Sequence, residues 1–442
     1  MKKSISNWGN YPVIQSNEQS FSLVSELEEK LSKSEEVIAR GMGRCYGDAS
    51  LAKNVFSTLK FNHLLGFDSS TGLIELEAGI TLESILDFVV PQGWFLPVTP
   101  GTKYITVGGA IASDVHGKNH HVEGCFSKHV LEMDVMIASG EILTCSPTQN
   151  SDLFHATAGG MGLTGIITRV KFQLKKIETA YIKQKMIKAK NLNEIIELLD
   201  KYSSYTYSVA WIDCLKSGEG FGRSILMLGE HAKVEDLPES LQKSPLKLPK
   251  KKLLTLPFYL PSFLLNKLTV SIFNFLYYNK MFKREINNVI SYEPFFYPLD
   301  AIQHWNRGYG KKGFVQYQFV LPLESREGLV EILKKISSNG HASFLAVLKI
   351  FGEDESLISF PMKGYTLALD LPVRKNLFPF LDELDELVLQ YKGRIYLSKD
   401  ARMQSKMFFE TYPNAQKFVS ILGKYNPSKF ISLQSKRLQI KL

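Results

Sequence analysis

"TVGGAIASDVHGKNHH", Thr106 to His121, opens on a glycine pair and closes on three histidines, a lysine and an asparagine. His116 and His120 stand four residues apart, a spacing that can set two imidazoles on one helical face for a metal. Gly117 directly after His116 weakens a helix at that point, and no HExxH pattern accompanies the pair. Asp114 is an ambiguous third ligand, so no metal is expected. Single structural roles suit His120 and His121 better. The upstream Pro100-Gly101 turn and Gly108-Gly109 instead permit close backbone approach to a flat or phosphorylated molecule.

Two further glycine-rich stretches flank this one. "ARGMGRCYGDAS" (Ala39–Ser50) follows a probable strand, and its glycines let successive N–H groups point inward as an anion nest. Arg40 and Arg44 add positive charge. The stretch is neither a GK[ST] phosphate loop nor the GxGxxG of a βαβ unit. "GGMGLTGII" (Gly159–Ile167) is the third. Around them the chain alternates short strands and helices. Phe21–Ser34 has helical periodicity. Gly72–Gly93 reads as strand, turn and a helix starting near Thr81, with Glu83 in its first turn. Leu131–Pro147 reads as a hairpin turning at Ser139-Gly140, and Gly162–Ile177 as a long strand.

Near Glu178 glycine thins out and aromatic and lysine content rises. The boundaries expected are 1–178, 179–392 and 393–442, the last beginning with a return to the first unit through "GRIYLSKDARM". The middle unit has long strand candidates in "SYTYSVAWIDCL", "GFVQYQFVLPL", "FLAVLKIFG" and "YTLALDLPV", with helices such as "SREGLVEILKKISSNG" between them. That pattern predicts an antiparallel sheet covered by helices. Period-2 spacing puts Gln316 and Gln318 on one face and Tyr317 on the other.

The 442 residues carry a formal charge of +9, which favours anionic partners. No nucleic-acid motif is present. Four cysteines without a CxxC pair argue against a zinc ribbon or disulfide scaffold. No signal peptide or spanning segment is expected, which fits a cytoplasmic or peripheral membrane location. The stretch Leu241–Arg284 joins lysines 243, 247, 250, 251 and 252 to an aromatic run broken by Pro257 and Pro261. It reads equally as a buried helix pair behind a basic linker or as a surface segment touching lipid.

Three glycine-rich stretches suit a long phosphate-bearing cofactor between two small lobes. The combination resembles the PCMH-type FAD-binding domain of the vanillyl-alcohol oxidase superfamily. Within it, "ARGMGRCYGD", "PVTPGTKYITVGGAIASDVHGKNHH", "HWNRGYGKKGFVQYQF", "LKIFG" and "IYLSKDAR" are similar, in order, to motifs of the decaprenylphosphoryl-β-D-ribose 2-oxidase family. The fold implied is α+β: a two-lobed FAD-binding domain plus a substrate domain with a helix-covered antiparallel sheet.

The resemblance implies non-covalent FAD. It assigns the pyrophosphate loop to Arg40, Gly41, Met42, Gly43, Arg44, Cys45, Tyr46 and Gly47. Further cofactor positions are Gly101, Thr106, Val107, Gly108, Gly109, Ser113, Asp114, Val115 and His116, with Ile167 and Tyr396 later in the chain. Lys399 and His116 are the implied catalytic residues. His116 lies where some superfamily members attach flavin covalently. Lys118, Gln318 and Lys349 match substrate positions, and Gln316 joins them by sharing a strand face with Gln318. Three pocket positions depart from the family: Thr366 stands for an asparagine, Ala368 for a cysteine and Phe296 for a tyrosine.

The activity implied is oxidation of a secondary alcohol, at C2, of a polyprenyl-phosphate-linked sugar. An NADH-dependent short-chain ketoreductase would complete a 2'-epimerisation, and peripheral membrane contact would give access to the lipid. The alternatives are a soluble aldose, alditol or aldonolactone oxidase on the same fold, or a catalytically silent subunit that binds flavin or polyprenyl phosphate.

Overall fold

Short strands and glycine turns build two small sheets from the first 173 residues, as seen in a computed structural model that describes residues 2–248, 253–341, 343, 345–353 and 357–440. The first sheet has the order β1-β2-β4-β3, from β1 (Lys2–Ser6), β2 (Val13–Ser20), β3 (Ile38–Arg40) and β4 (Asn54–Ser57). The second is antiparallel, in the order β5-β6-β10-β8-β9. Its strands are β5 (Leu64–Asp68), β6 (Leu73–Glu77), β8 (Val130–Met136), β9 (Ile142–Cys145) and β10 (Ile166–Gln173). A two-stranded ribbon, β7 (Trp94–Phe95) with β11 (Lys175–Lys176), leads out of this region.

The elements expected here form for local reasons. The helix Leu82–Val89 starts where Thr81 Oγ1 accepts the Ser84 amide at 3.1 Å. That cap satisfies an amide with no helical partner. Leu82, Ile85, Leu86 and Val89 follow helical spacing and are all buried. Each such side chain stabilises the fold by roughly 1.5–3 kcal/mol. Glu83 binds Lys103 at 3.1 Å. The hairpin β8–β9 turns at Ser139-Gly140, where Gly140 has φ 91°.

An eight-stranded antiparallel sheet uses later residues only, in the order β16-β12-β14-β13-β19-β20-β18-β21. Its strands are β12 (Tyr181–Ala189), β13 (Tyr207–Ile212), β14 (Ser224–His231), β16 (Glu285–Ser291), β18 (Phe314–Pro322), β19 (Ala346–Phe351), β20 (Gly364–Pro372) and β21 (Arg394–Ile395). The helices Leu192–Lys201, Arg326–Asn339 and Leu377–Gln390 cover one face with Ile195, Leu199, Leu329, Ile332, Leu381 and Leu384, which join the largest apolar cluster. The opposite face looks toward the first two sheets. After Ile395 the chain crosses back: Ser398 O accepts the Tyr46 amide at 3.0 Å, and Val37 bridges Phe430.

The described part of residues 241–284 is no buried helix pair. The helix Lys267–Asn279 buries only Val270 and Asn274, and Leu268, Ile272, Phe275 and Leu276 face outward. Phe258, Phe263 and the fully exposed Phe282 (99%) extend the apolar surface. Lys243 and Lys247 are exposed, while Lys250, Lys251 and Lys252 lie outside the described residues. A short parallel pairing of β15 (Leu254–Thr255) with β17 (Ile302–Gln303) ties the segment down. Among the described residues no helix is long and apolar enough to cross a membrane.

Candidate active site

A cavity of about 690 Å³ lies between the sheets, within the size range of cofactor sites. One end is the loop after β3. Gly43 adopts φ 61°, a conformation that costs glycine little, and the amides of Gly41 to Cys45 donate to no backbone carbonyl among the described residues. Open amides of this kind are what an anion nest requires. Arg40 is tied down by Asn7 and by Ser6 O at 2.8 Å, and Arg44 lies 3.8 Å from the Trp8 ring centroid. Trp8 was not foreseen; only its position beside a glycine near the start of the chain marks it.

The "TVGGAIASDVHGKNHH" stretch now divides by role. Thr106 caps a short helix by accepting the Gly109 amide at 3.1 Å, and Gly108, Gly109, Ser113 and Val115 line the cavity. His116 and Lys118 also face it. Asn119 donates to Pro97 O at 2.8 Å, His120 Nδ1 accepts the Gly352 amide at 3.2 Å, and His121 Nε2 meets Tyr205 O at 2.8 Å. The last three side chains are therefore fasteners. Among the described residues no group of three or more His, Cys, Asp or Glu side chains could hold a metal.

The large sheet contributes another part of the lining. Gln316, Gln318, Lys349 and Ala368 reach it from β18, β19 and β20, and Tyr396 and Lys399 from the loop after β21. Tyr317 points away and donates to Asp385 Oδ1 at 2.9 Å. Gln318 Nε2 contacts His116 Nε2 at 3.1 Å and Thr366 Oγ1 at 3.3 Å. With Gln318 as donor, the His116 proton sits on Nδ1, which is buried with no partner among the described residues. Burial, reinforced by Lys349, His120 and Lys399, holds His116 well below the usual imidazole range, so it is neutral. The Tyr396 hydroxyl donates to Ser113 O at 2.7 Å and fixes the Lys399 loop to the first lobe.

Four residues assigned by resemblance stand behind the wall rather than on it. Gly47 is a packing glycine: a Cβ there would lie 1.8 Å from Asp400 O. Val107 is buried in the apolar cluster with Leu82 and Ile111. Asp114 is buried and accepts the Ser127 amide at 3.3 Å. Thr366 supports Gln318 and donates to Phe319 O at 2.8 Å. Arg40, Gly41, Met42, Gly43, Arg44, Cys45, Tyr46, Gly101, Thr106, Ile167 and Phe296 do line the cavity. The Cys45 thiol is kept protonated by burial.

Asp370 was missed, although it lies on the same face of β20 as Ala368 by period-2 spacing. Its Oδ1 accepts from Gln316 Nε2 at 2.5 Å and its Oδ2 from Tyr309 at 3.1 Å. Burial raises its pKa, opposed by Gln316 and Lys399, and burial lowers that of Lys399, opposed by Asp370. The Lys399 ammonium lies 4.0 Å from the Tyr46 ring centroid.

Lys118 is pushed down to about 8 by burial. Lys349 is pushed down to about 7 by burial first, then by Lys118 and Lys399. An anion bound between them favours the ammonium forms, so binding takes up protons above neutral pH. Affinity for a phosphate-bearing ligand is expected to hold below about pH 7 and then fall. The slope approaches about tenfold per pH unit for each proton taken up. Titrations of the FAD-loaded protein from pH 6 to 9 measure this; a flat profile would show both lysines charged without the ligand.

Open amides, a glycine-lined wall and several cations on one cavity fit a dinucleotide with a diphosphate and a flat ring. The sequence profile of the FAD_binding_4 family, an FAD binding domain, matches residues 22–146. The chain is thus an FAD-dependent oxidoreductase. It is 40% identical to the decaprenylphosphoryl-β-D-ribose oxidase of Mycolicibacterium smegmatis over 91% of this chain and 89% of that one. It belongs to that protein's family. It is also 31% identical to an uncharacterized protein of Streptomyces coelicolor, over 81% of this chain and all of the other. Similarity to a putative D-arabinono-1,4-lactone oxidase of Neurospora crassa, 32% identical, covers only 31% of this chain.

Proposed function

We propose that the protein oxidises the C2 hydroxyl of a polyprenyl-phosphate-linked sugar to a ketone, the first half of a 2'-epimerisation. The observation that carries this reading is the convergence of Lys118, Lys349 and Lys399 with Gln316 and Gln318 on one cavity. Two lysines suit a phosphodiester and two side-chain amides suit sugar hydroxyls. Non-covalently bound FAD supplies the hydride acceptor, its N5 atom. Lys399 places positive charge where the cofactor's ring would gain negative charge. The alcohol loses its carbon-bound hydrogen as hydride and its hydroxyl hydrogen as a proton. His116, neutral and cavity-facing, is the group suited to take that proton at Nε2, with Gln318 turning from it to the sugar. Phe296, in place of tyrosine, offers the sugar no hydroxyl, and Thr366, in place of asparagine, acts on it through Gln318. A ketoreductase using NADH would then return the ketone to the epimeric alcohol, and the apolar surface around helix Lys267–Asn279 would meet the membrane that holds the lipid.

Anaerobic mixing with a prenyl-phosphate pentose is expected to bleach the flavin, while free aldoses and aldonolactones leave it oxidised. Acid precipitation is expected to release all the FAD into solution. Bleaching by free sugars alone would select the soluble sugar oxidase reading, and flavin kept by the precipitate would indicate a covalent bond, with His116 the first residue to examine.

A further inference from the structure

The cavity does not stop at the sugar-facing wall. Its lining continues along the sheet face across strands that carry none of the residues discussed so far. The register shows how. Gln318 pairs with Ala368, Ala368 with Val347, and Val347 with Trp211, so one row of side chains crosses four strands from polar to apolar. The next row runs from Val209 to Met227 to Met186. Directly paired residues share a face, so both rows form one floor. From β19 to β12 the floor spans three strand spacings, about 14 Å.

The far end lies under the helix Lys267–Asn279. Tyr277 and Lys280 line the cavity there, and the Tyr277 ring lies 4.7 Å from Trp211. Phe273 stacks on Tyr277 at 5.7 Å and is itself partly exposed, beside the outward Ile272 and Leu276. An apolar floor thus begins at the cationic site, passes beneath one helix and meets an exposed apolar surface. Free sugars would leave this floor wet. Methionine, valine and tryptophan suit a flexible branched hydrocarbon, which wants contact area and no hydrogen bonds.

We propose that this floor is the binding channel for the first isoprene units of a polyprenyl phosphate. The phosphate rests at Lys118 and Lys349, and the chain runs over Val347, Trp211, Met227 and Met186 to leave beneath Tyr277. The proposal rests on the polyprenyl-phosphate reading above and adds the path of the tail. Met186 and Met227 are half-buried, so each tolerates substitution better than the core does.

The test needs no sugar. FAD-loaded protein in detergent is titrated calorimetrically with prenyl monophosphates of increasing length. Affinity is expected to rise about tenfold or more from one isoprene unit to several, then level off once the floor is covered. In Met227→Glu and Met186→Glu the gain from chain length is expected to disappear, because each sets a charge in the path. Affinity independent of length in the wild-type protein overturns the channel. So does a length dependence kept in both variants, with flavin content as the measure of folding. If a variant loses its flavin, the other and the wild-type series decide. Length-dependent binding without flavin reduction by any prenyl-phosphate sugar would keep the channel and remove the proposed oxidation.

Discussion

Lys399→Ala is expected to slow substrate-driven flavin reduction by about 10²–10³-fold, the usual effect of losing one preorganised charge-stabilising group. The FAD should stay bound, because the open amides of Gly41 to Cys45 and the glycines of the 106–109 segment remain to hold it. A purely structural lysine would not produce this split. Lys399 makes no ion pair within 4.0 Å among the described residues; its near neighbours are the Tyr46 ring and, more distantly, Asp370. Removing it takes positive charge from the cavity, so the flavin's midpoint potential should also fall. Rapid-mixing reduction kinetics and a potentiometric titration check both. Reduction at the wild-type rate would take Lys399 out of the reaction.

The second large effect is expected away from the cavity wall. Arg437→Met should destabilise the protein by about 3–5 kcal/mol, the penalty for leaving buried carboxylates without their cation. Arg437 binds Asp48 at 2.7 Å and Asp400 at 2.8 Å, and both carboxylates are almost wholly buried. Burial tends to raise the pKa of Asp400, and Arg437 with Arg402 outweighs it. Asp400 also accepts the amides of Arg402 and Met403 at 2.9 and 2.7 Å, which shapes the turn after Lys399. Asp48 lies beside the nest. The variant should therefore both unfold earlier and retain less FAD, with Arg437→Lys recovering part of each loss. Thermal unfolding and flavin content are the measurements; unchanged values in Arg437→Met would mean that the two aspartates find other partners.

The sequence was most legible where local chemistry decides the structure. Thr81 and the apolar spacing after it announce a helix, Ser139-Gly140 announces a hairpin, and the glycines of 41–43 announce an open loop. Alternation along Gln316, Tyr317 and Gln318 separated wall from core correctly. Strands β12, β14 and β16 escaped notice for a physical reason. β12 sets lysines 183, 185 and 188 among its apolar residues, and β16 carries two asparagines, which favour turns. Their pairing comes from neighbours in the sheet rather than from their own propensity. Asp370 was missed because its meaning depends on Tyr309 and Gln316, which only the fold brings together. Gly47 and Val107 were placed at the cofactor by resemblance, yet they pack the layer beneath it; proximity in a motif does not distinguish touching from supporting.

Strand β3 leads into the nest, and its approach is clamped by residues far along the chain. The Val37 amide donates to Lys429 O at 2.9 Å, and Ile431 donates back to Val37 O at 3.0 Å. Phe430 fills the apolar cluster of Phe21, Leu27 and Phe56. Arg437 reaches Asp48 across 389 positions of sequence. Contacts this distant in sequence carry a large loop-closure cost, so they slow folding rather than nucleate it. The first lobe is therefore sealed only once residues 429–437 have docked against it. A variant in which residues 429–437 cannot dock is expected to expose the Phe21 cluster and to hold flavin poorly, because the strand that presents the nest is no longer braced.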